Sequence, residues 1–191
     1  MATERWVFKN AYEFRFLEDL AADPGFQELV GALGGAPPWE ELLVQEEREK
    51  HEALKSATKV LKQIHLGIYF EKRLIGFTRG FQTGGSNLHM AMSYVHQDHR
   101  RQGLYSELLR AVLEFSRFHG FQTVDSNHRS TNNPVLIAKL RAGFVISGMH
   151  LSDIMGCLVT LTYFHNAQRR ELMDARSGLK RPEGKIRELF F

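Results

Sequence analysis

Two arginines, a glutamine and a glycine stand directly before a predicted amphipathic helix. They are Arg100, Arg101, Gln102 and Gly103, and the apolar residues that follow are spaced for one helix face: Leu104, Leu108, Ala111, Val112, Phe115 and Phe118. Amide N–H groups in the first turn of a helix lack intrahelical partners, and glycine lets an anion approach the backbone. The stretch predicts a phosphate-binding loop. An ordinary strand-to-helix connection with solvated arginines is the alternative.

Composition bounds the class of protein. The 191 residues are 43% hydrophobic and 25% charged, with a net charge of +3, which is typical of one soluble globular domain. A balance so mildly basic gives no reason to expect nucleic acid as a partner, whereas a local pair such as Arg100 and Arg101 is enough to attract a polyanionic ligand. We therefore expect one domain over residues 1–191.

The single cysteine, Cys157, excludes an internal disulfide and a cysteine-based metal cluster, and its apolar neighbours favour a buried structural thiol over a nucleophile. The N-terminus has no apolar run of signal-peptide length, and no stretch is long enough to suggest a membrane span. From these features we expect a cytoplasmic protein with no membrane partner.

The N-terminal part of the chain is predicted to be helical between residues 11 and 63. Ala11–Leu33 is interpreted as two short helices, the second opened by Asp23 and Pro24 and closed by Gly34 and Gly35. Pro37–Gln63 is predicted as a longer helix whose charged middle, QEEREKHE, indicates a solvated face rather than a binding surface.

From Leu66 onward the pattern changes to strands alternating with helices. A hairpin is predicted from HLGIYF and LIGFTRGFQ, and the later elements are the strand Asn87–Val95, the helix Leu104–His119, the strand Phe121–Asn127, the helix Pro134–Ala142, and the strands Phe144–His150 and Ile154–Phe164. The tail over residues 166–191 is basic but ends in Leu189, Phe190 and Phe191. It suits packing on the body or on a second copy of the chain, so a homodimer is left open.

Two segments carry a family resemblance. Arg100–Tyr105 reads R-x-x-G-x-Y and resembles the [QR]-x-x-G-x-[GA] signature of the GCN5-related N-acetyltransferase (GNAT) superfamily, with Tyr105 at the position of the usual Gly or Ala. Asn132–Phe144 reads NNPVLIAKLRAGF and resembles the family's N-x-x-A-x-x-L-Y-x-x-x-G-F segment, with Lys139 at the position of the usual tyrosine. The resemblance covers residues 66–164 well and the N-terminal segments by position alone.

The resemblance implies an α/β (α+β) fold: a mixed central sheet, splayed at a bulged strand, with helices on both faces. It also implies acetyl-CoA as cosubstrate, an amine-bearing acceptor, and no metal. The main chain at the bulge, assigned to Ser93, Tyr94 and Val95, would hold the pantetheine and aim an amide at the thioester carbonyl. The pyrophosphate would lie on the loop residues Arg101, Gln102, Gly103, Leu104, Tyr105 and Ser106.

Two further roles follow from the second segment. Asn132 would bond the cofactor arm, cap the helix that begins near Pro134, or do both. Lys139 could protonate the leaving thiolate if its pKa were depressed, or it could pair with a CoA phosphate, and the sequence favours the second role.

The residue that takes a proton from the acceptor amine is not fixed by the sequence. His128 leads because it follows the strand that lies beyond the expected split, and Asp125 from the same strand end is its rival. His96 and His89 are further candidates. The leading hypothesis is an acetyl-CoA-dependent N-acetyltransferase that works by direct attack in a ternary complex. A non-catalytic acyl-CoA-binding or regulatory module on the same fold is the alternative, and a structural domain with an empty loop is a third.

Overall fold

An eight-stranded mixed sheet forms the centre of the protein. The computed structural model describes residues 4–33, 43–57 and 61–188, and within them the strand order is β1-β2-β3-β4-β5-β6-β8-β7. The strands are β1 (Arg5–Phe8), β2 (Tyr12–Phe16), β3 (Gln63–Phe70), β4 (Arg73–Gly84), β5 (Asn87–Val95), β6 (Thr123–Arg129), β7 (Val145–Ser152) and β8 (Gly156–Phe164). Every neighbouring pair is antiparallel except β5 and β6, which are parallel.

Helices cover both faces of this sheet. They are α1 (Phe26–Ala32), α2 (Gln45–Ala57), α3 (Leu104–Phe118), α4 (Asn133–Arg141), α5 (Ala167–Arg176) and α6 (Gly184–Glu188). Tyr94 packs in a cluster with residues of α1, whereas its neighbour Val95 packs against the cluster that contains α3. Because successive side chains of a strand point to opposite faces, α1 and α3 lie on opposite sides of the sheet. The predicted mixed sheet with helices on both faces is confirmed.

The hairpin between β3 and β4 shows how local sequence fixes the register. Glu71 and Lys72 form its turn with φ of 49° and 66°, the left-handed pair that suits the twist of a two-residue hairpin. Arg73, which stands between the two predicted strand segments HLGIYF and LIGFTRGFQ, is the first residue of β4. The remaining strands and helices from Asn87 to Phe164 are confirmed, with ends that differ by one or two residues.

The N-terminal prediction was partly wrong. Tyr12–Phe16 is a strand and not a helix. Aromatic residues at 12, 14 and 16 alternate with charged ones, which is the period of a half-buried strand, and Phe14 is fully buried in the main core. The spacing of four between Tyr12 and Phe16 fits both periods, so it could not distinguish them.

The other two helices predicted near the N-terminus are present. The second short helix is α1, and the Asp23 side chain accepts a hydrogen bond from the Gly25 amide at 2.9 Å just before it. The longer helix is present as α2, Gln45–Ala57, but its predicted end at Gln63 was wrong, because Gln63 is the first residue of β3. Residues 34–42, including Gly34, Gly35 and Pro37, lie outside the described residues.

The C-terminal tail packs on the body as far as it is described. Arg170 of α5 donates to the Gly143 carbonyl at 3.0 Å, and Ile186 of α6 is buried. Leu189, Phe190 and Phe191 lie outside the described residues. None of the described helices is both long enough and apolar enough to cross a membrane.

Candidate active site

The loop before α3 has the backbone geometry of an anion site. Gly103 caps the helix in the left-handed region, with φ of 83°, and supplies no side-chain cap. The first hydrogen bond of the helix runs from the Glu107 amide to the Gly103 carbonyl at 3.0 Å. The amides of Leu104, Tyr105 and Ser106 precede it and have no intrahelical acceptor. Their partial positive charge adds to the helix dipole at this end.

The departure of Tyr105 from the family pattern is accommodated by the core. Its ring packs against the main core cluster, and its hydroxyl is buried without a hydrogen-bond partner among the described residues. Burial raises the pKa of Tyr105. Because the side chain turns inward, the Tyr105 amide is still presented at the start of the helix.

A split opens between β5 and β6 directly beside this loop. The parallel ladder joins Asn87 to Thr123, Leu88 to Val124 and His89 to Asp125, and then ends, although β5 continues to Val95 and β6 to Arg129.

The β5 backbone presents hydrogen-bonding groups to this split. The His96 amide donates to the Ile75 carbonyl at 2.7 Å. Since an antiparallel ladder alternates in direction, the main-chain groups of Ser93 and Val95 face away from β4 and toward the split. The Val95 carbonyl accepts from Arg100 Nε at 3.0 Å, which ties β5 to the loop.

The position of the bulge corrects the sequence assignment. The register between β4 and β5 shifts where Arg79 pairs with Met92 and Gly80 with Met90, so the extra residue is Ala91. Ser93, Tyr94 and Val95 pair regularly with Thr78, Phe77 and Gly76. The bulge was predicted two residues too late, because a family pattern without an alignment does not fix where one strand gains a residue.

Lys139 lies in the core. Its side chain has no exposed surface, and its Nζ donates to Ser126 Oγ at 2.7 Å and to Met90 Sδ at 3.2 Å. The Phe144 ring centroid lies 4.4 Å from the same nitrogen. Burial lowers the pKa of Lys139 to about 7, and Asp125 partly opposes this shift. Pairing with a CoA phosphate, the role that the sequence favoured, would require this ammonium to leave its position.

His128, on β6, lies close to Lys139 of α4. Its Nε2 is 3.0 Å from Ser126 Oγ, and burial, followed by the charges of Lys139 and His89, lowers the pKa of His128 to about 4. The imidazole is therefore neutral at physiological pH. An imidazole with so low a pKa holds a proton weakly, so it passes protons on more readily than it stores them.

Asp125, the rival base, is engaged with His89 across the start of the split. Asp125 Oδ1 and His89 Nδ1 are 2.6 Å apart. Asp125 and Ser126 are successive residues on β6, so the pair of Asp125 and His89 lies on the sheet face opposite Ser126, Lys139 and His128. Ionisable side chains therefore lie beside the split on both faces of the sheet.

The remaining candidate residues are not part of the hydrogen-bonded groups at the split. Asn132 is exposed at the start of α4 and makes no capping hydrogen bond with its side chain, which removes the capping alternative. His96 accepts from the Asp98 amide at 3.4 Å and caps a short 3-10 turn. Cys157 is free and half-buried rather than fully buried. No group of three or more His, Cys, Asp or Glu side chains within the described ranges is arranged to hold a metal ion.

Sequence reasoning missed Ser126. It is fully buried on β6 and bonds both Lys139 and His128. The available signal was alternation on β6, which places Val124, Ser126 and His128 on one face, with a polar side chain where a core residue is expected.

Burial of Lys139 predicts a pH-dependent stability cost. The unfolded lysine has a pKa near its ordinary value of 10.5 and the folded one near 7, so the cost is full below pH 7, declines as pH rises, and disappears above about pH 10.5. Lys139→Met should therefore raise the free energy of unfolding by about 1 to 4 kcal/mol at pH 6, with a gain that shrinks toward pH 10.

Urea denaturation across this pH range measures the effect. Lys50→Met, on the exposed surface of α2, is the matched control and should change stability by less than about 0.5 kcal/mol. A pH-independent gain, or a loss, in Lys139→Met would contradict a buried, proton-binding lysine.

The family is established by comparison with known proteins. A family model described as "Acetyltransferase (GNAT) family" matches residues 35–144, which is more than half of the chain. The chain therefore belongs to the GNAT acetyltransferase family. No curated protein is a significant sequence match.

Solved structures share the fold at low sequence identity. The protein yncA from Salmonella typhimurium, solved with acetyl-CoA, is 19% identical, with a TM-score of 0.62 over 82% of this chain and 95% of its own. RimL, a ribosomal L7/L12 alpha-N-protein acetyltransferase solved with coenzyme A, is 16% identical, with a TM-score of 0.61 over 84% and 98%. Ard1 from Thermoplasma volcanium is 16% identical, with a TM-score of 0.60 over 81% and 97%. At these identities the likeness extends to the fold alone.

Proposed function

We propose that this protein transfers the acetyl group of acetyl-CoA to an amine by direct attack in a ternary complex. One observation carries the proposal: the parallel pairing of β5 and β6 stops at His89 and Asp125, and the gap beyond it lies beside the glycine-capped start of α3. An extended pantetheine arm suits such a gap, and a pyrophosphate suits such a helix start. The GNAT fold of solved neighbours that hold acetyl-CoA or coenzyme A supports the same ligand.

The cofactor-binding residues follow from this placement. The main chain of Ser93 and Val95 would pair with the pantetheine amides, with Tyr94 held between them by β4. A main-chain amide aimed at the thioester carbonyl would stabilise the oxyanion that develops as the amine attacks. The pyrophosphate would bind the amides from Gln102 to Ser106 with Arg101 beside them, and the exposed Asn132 side chain would reach the cofactor arm.

Three titratable side chains would handle the protons. Lys139 would supply the proton that the leaving thiolate takes up, and His128 would exchange protons with the reacting groups. Asp125, held by His89, is the alternative acceptor for the proton of the amine. Each lies at or beside the split, where the thioester and the amine would meet.

Replacing His128 tests its part in the reaction. His128→Gln keeps a hydrogen-bonding group of similar length but cannot carry a proton, so kcat should fall by about tenfold or more. The dissociation constant for acetyl-CoA, measured by calorimetry, should stay unchanged. Near-normal turnover would move the role to Asp125 and His89.

The experiment that tests the function is release of the CoA thiol over a panel of amines. The panel contains polyamines, amino acids, peptides with a free α-amine, and peptides whose only amine is a lysine side chain. We expect acetyl-CoA to bind and at least one class of amine to accelerate thiol release. Binding without amine-dependent release across the panel would favour the non-catalytic acyl-CoA module, and no binding would overturn the proposal.

A further inference from the structure

Lys139, Ser126 and His128 form a continuous hydrogen-bonded chain from the core toward the split. Ser126 Oγ lies 2.7 Å from Lys139 Nζ and 3.0 Å from His128 Nε2. Lys139 and Ser126 have no exposed surface, whereas His128 is half-buried. The accessible end of this chain is therefore the histidine.

The hydrogen positions along the chain are fixed by the chemistry of its members. A protonated lysine can only donate, so Ser126 Oγ accepts from it. The single hydroxyl proton of Ser126 is then donated to His128 Nε2, which places the proton of the neutral imidazole on Nδ1. When Lys139 is neutral, each of these bonds can reverse, with Nε2–H donating to Ser126 and Ser126 donating to Nζ.

We propose that Ser126 relays protons between the sealed Lys139 and His128, so that Lys139 acts as a buried proton store whose contact with the reacting groups is His128 Nδ1. This inference rests on the proposed acetyl transfer and deepens it. Lys139 cannot touch the leaving group from a position without exposed surface. His128 is the member of the chain that can.

The proton transfers balance without any other reactant. The proton on His128 Nδ1 passes to the leaving thiolate, the hydroxyl proton of Ser126 moves to Nε2, and a proton of Lys139 moves to Ser126 Oγ. The products are a thiol, a neutral lysine, an intact serine and an imidazole with its proton on Nε2. A proton that enters at Nδ1 from an acceptor ammonium or from water runs the three transfers in reverse and restores the starting state.

The order of the pKa values along the chain, which is set mainly by burial, favours this direction. The pKa of His128 is about 4 and that of Lys139 about 7, and an ordinary thiol has a pKa of about 8.5. A proton entering at His128 therefore moves to Lys139, and one leaving the store ends on the thiolate. The other ionisable groups near the chain are Asp125, whose charge favours protonated Lys139, and His89, whose charge disfavours protonated His128.

Nitrogen NMR of the ligand-free protein tests the relay, using ¹⁵N-labelled histidine between about pH 5 and pH 9. We expect His128 to stay neutral but to change from the Nδ1–H to the Nε2–H tautomer with a midpoint at about pH 7, the pKa of Lys139. His89 is the internal control, because its Nδ1 is bonded to Asp125 rather than to Ser126, so its nitrogen signals should be the same in the native protein and in Ser126→Ala.

Three variants distinguish a relay from a structural role. Ser126→Ala should abolish the tautomer change at about pH 7, whereas Ser126→Thr keeps the hydroxyl and should retain it. Lys139→Met removes the buried ammonium and should hold His128 in the Nδ1–H form over the whole pH range. This variant decides the test if Ser126→Ala fails to fold. A constant tautomer in the native protein, or an unchanged transition in folded Ser126→Ala, would overturn the relay.

Activity gives a second and separable readout. Ser126→Ala should lower kcat by about tenfold or more at unchanged acetyl-CoA affinity, and Ser126→Thr should restore much of the loss. If no amine supports turnover, the proposed function fails while the tautomer measurement still decides whether the relay exists.

Discussion

Lys139→Met is expected to lower kcat at saturating acetyl-CoA and amine by about a hundredfold, without changing the dissociation constant for acetyl-CoA. Methionine is similar in length and apolar, so it fits the pocket of Met90, Phe144 and Ser126 that surrounds the lysine. What it removes is the buried proton. Because Lys139 has no exposed surface, no phosphate contact is lost.

The pH dependence of this reaction should follow the same group. In the proposed relay Lys139 acts only when it is protonated, and its pKa in the free protein is about 7, so kcat/KM should fall as pH rises above about 7. The residual activity of Lys139→Met should lack this fall. Thiol release and calorimetric titration together measure the two effects, with Lys50→Met as the surface control. A weakened acetyl-CoA affinity with intact kcat would instead assign Lys139 to a phosphate.

Gly103→Asp should weaken acetyl-CoA binding by about a hundredfold relative to Gly103→Asn. Gly103 has φ of 83°, and among the described residues the one atom within 4 Å of a Cβ placed there is Phe8 Cζ, at 3.8 Å. Asparagine and aspartate both tolerate left-handed backbone better than other residues, so the two variants should fold alike. They differ by one negative charge at the point where the pyrophosphate would lie, and opposed like charges cost several kcal/mol.

Gly103→Asn has nearly the same side-chain shape and backbone strain as Gly103→Asp, and it blocks the approach of a phosphate to the backbone equally. The ratio of the two dissociation constants therefore measures the effect of the negative charge alone. Raising the salt concentration should narrow the ratio, because an exposed charge is screened. Equal affinities in two folded variants would place the pyrophosphate elsewhere.

The elements after residue 63 could be predicted because each has a single strong local pattern. The hairpin turn at Glu71 and Lys72 and the apolar face of α3 each select one structure. The strand Tyr12–Phe16 was missed although its alternation of aromatic and charged residues is present in the sequence, because the spacing of four between Tyr12 and Phe16 also fits a helix. Only the intervening Phe14, buried in the main core, identifies it as a strand.

The loop of the candidate site was visible in the sequence because its residues are adjacent in the chain. The cluster of Lys139, Ser126 and His128 was not, because it joins β6 to α4 across the core. Lysine is seldom fully buried, so the sequence favoured an exposed role for Lys139. Its actual environment depends on how α4 packs against the sheet, and residue spacing within α4 does not contain that information.

Transfer of a labelled acetyl group tests the central claim most directly. The protein is incubated with acetyl-CoA that carries an isotopic label in its acetyl group and with each amine of the panel, and labelled amide and free thiol are both counted. We expect at least one amine to gain label in a one-to-one ratio with thiol, and Gly103→Asp to lose this transfer at low acetyl-CoA far more than Gly103→Asn. Thiol release without labelled amide, or tight acetyl-CoA binding with no transfer to any amine, would contradict the account.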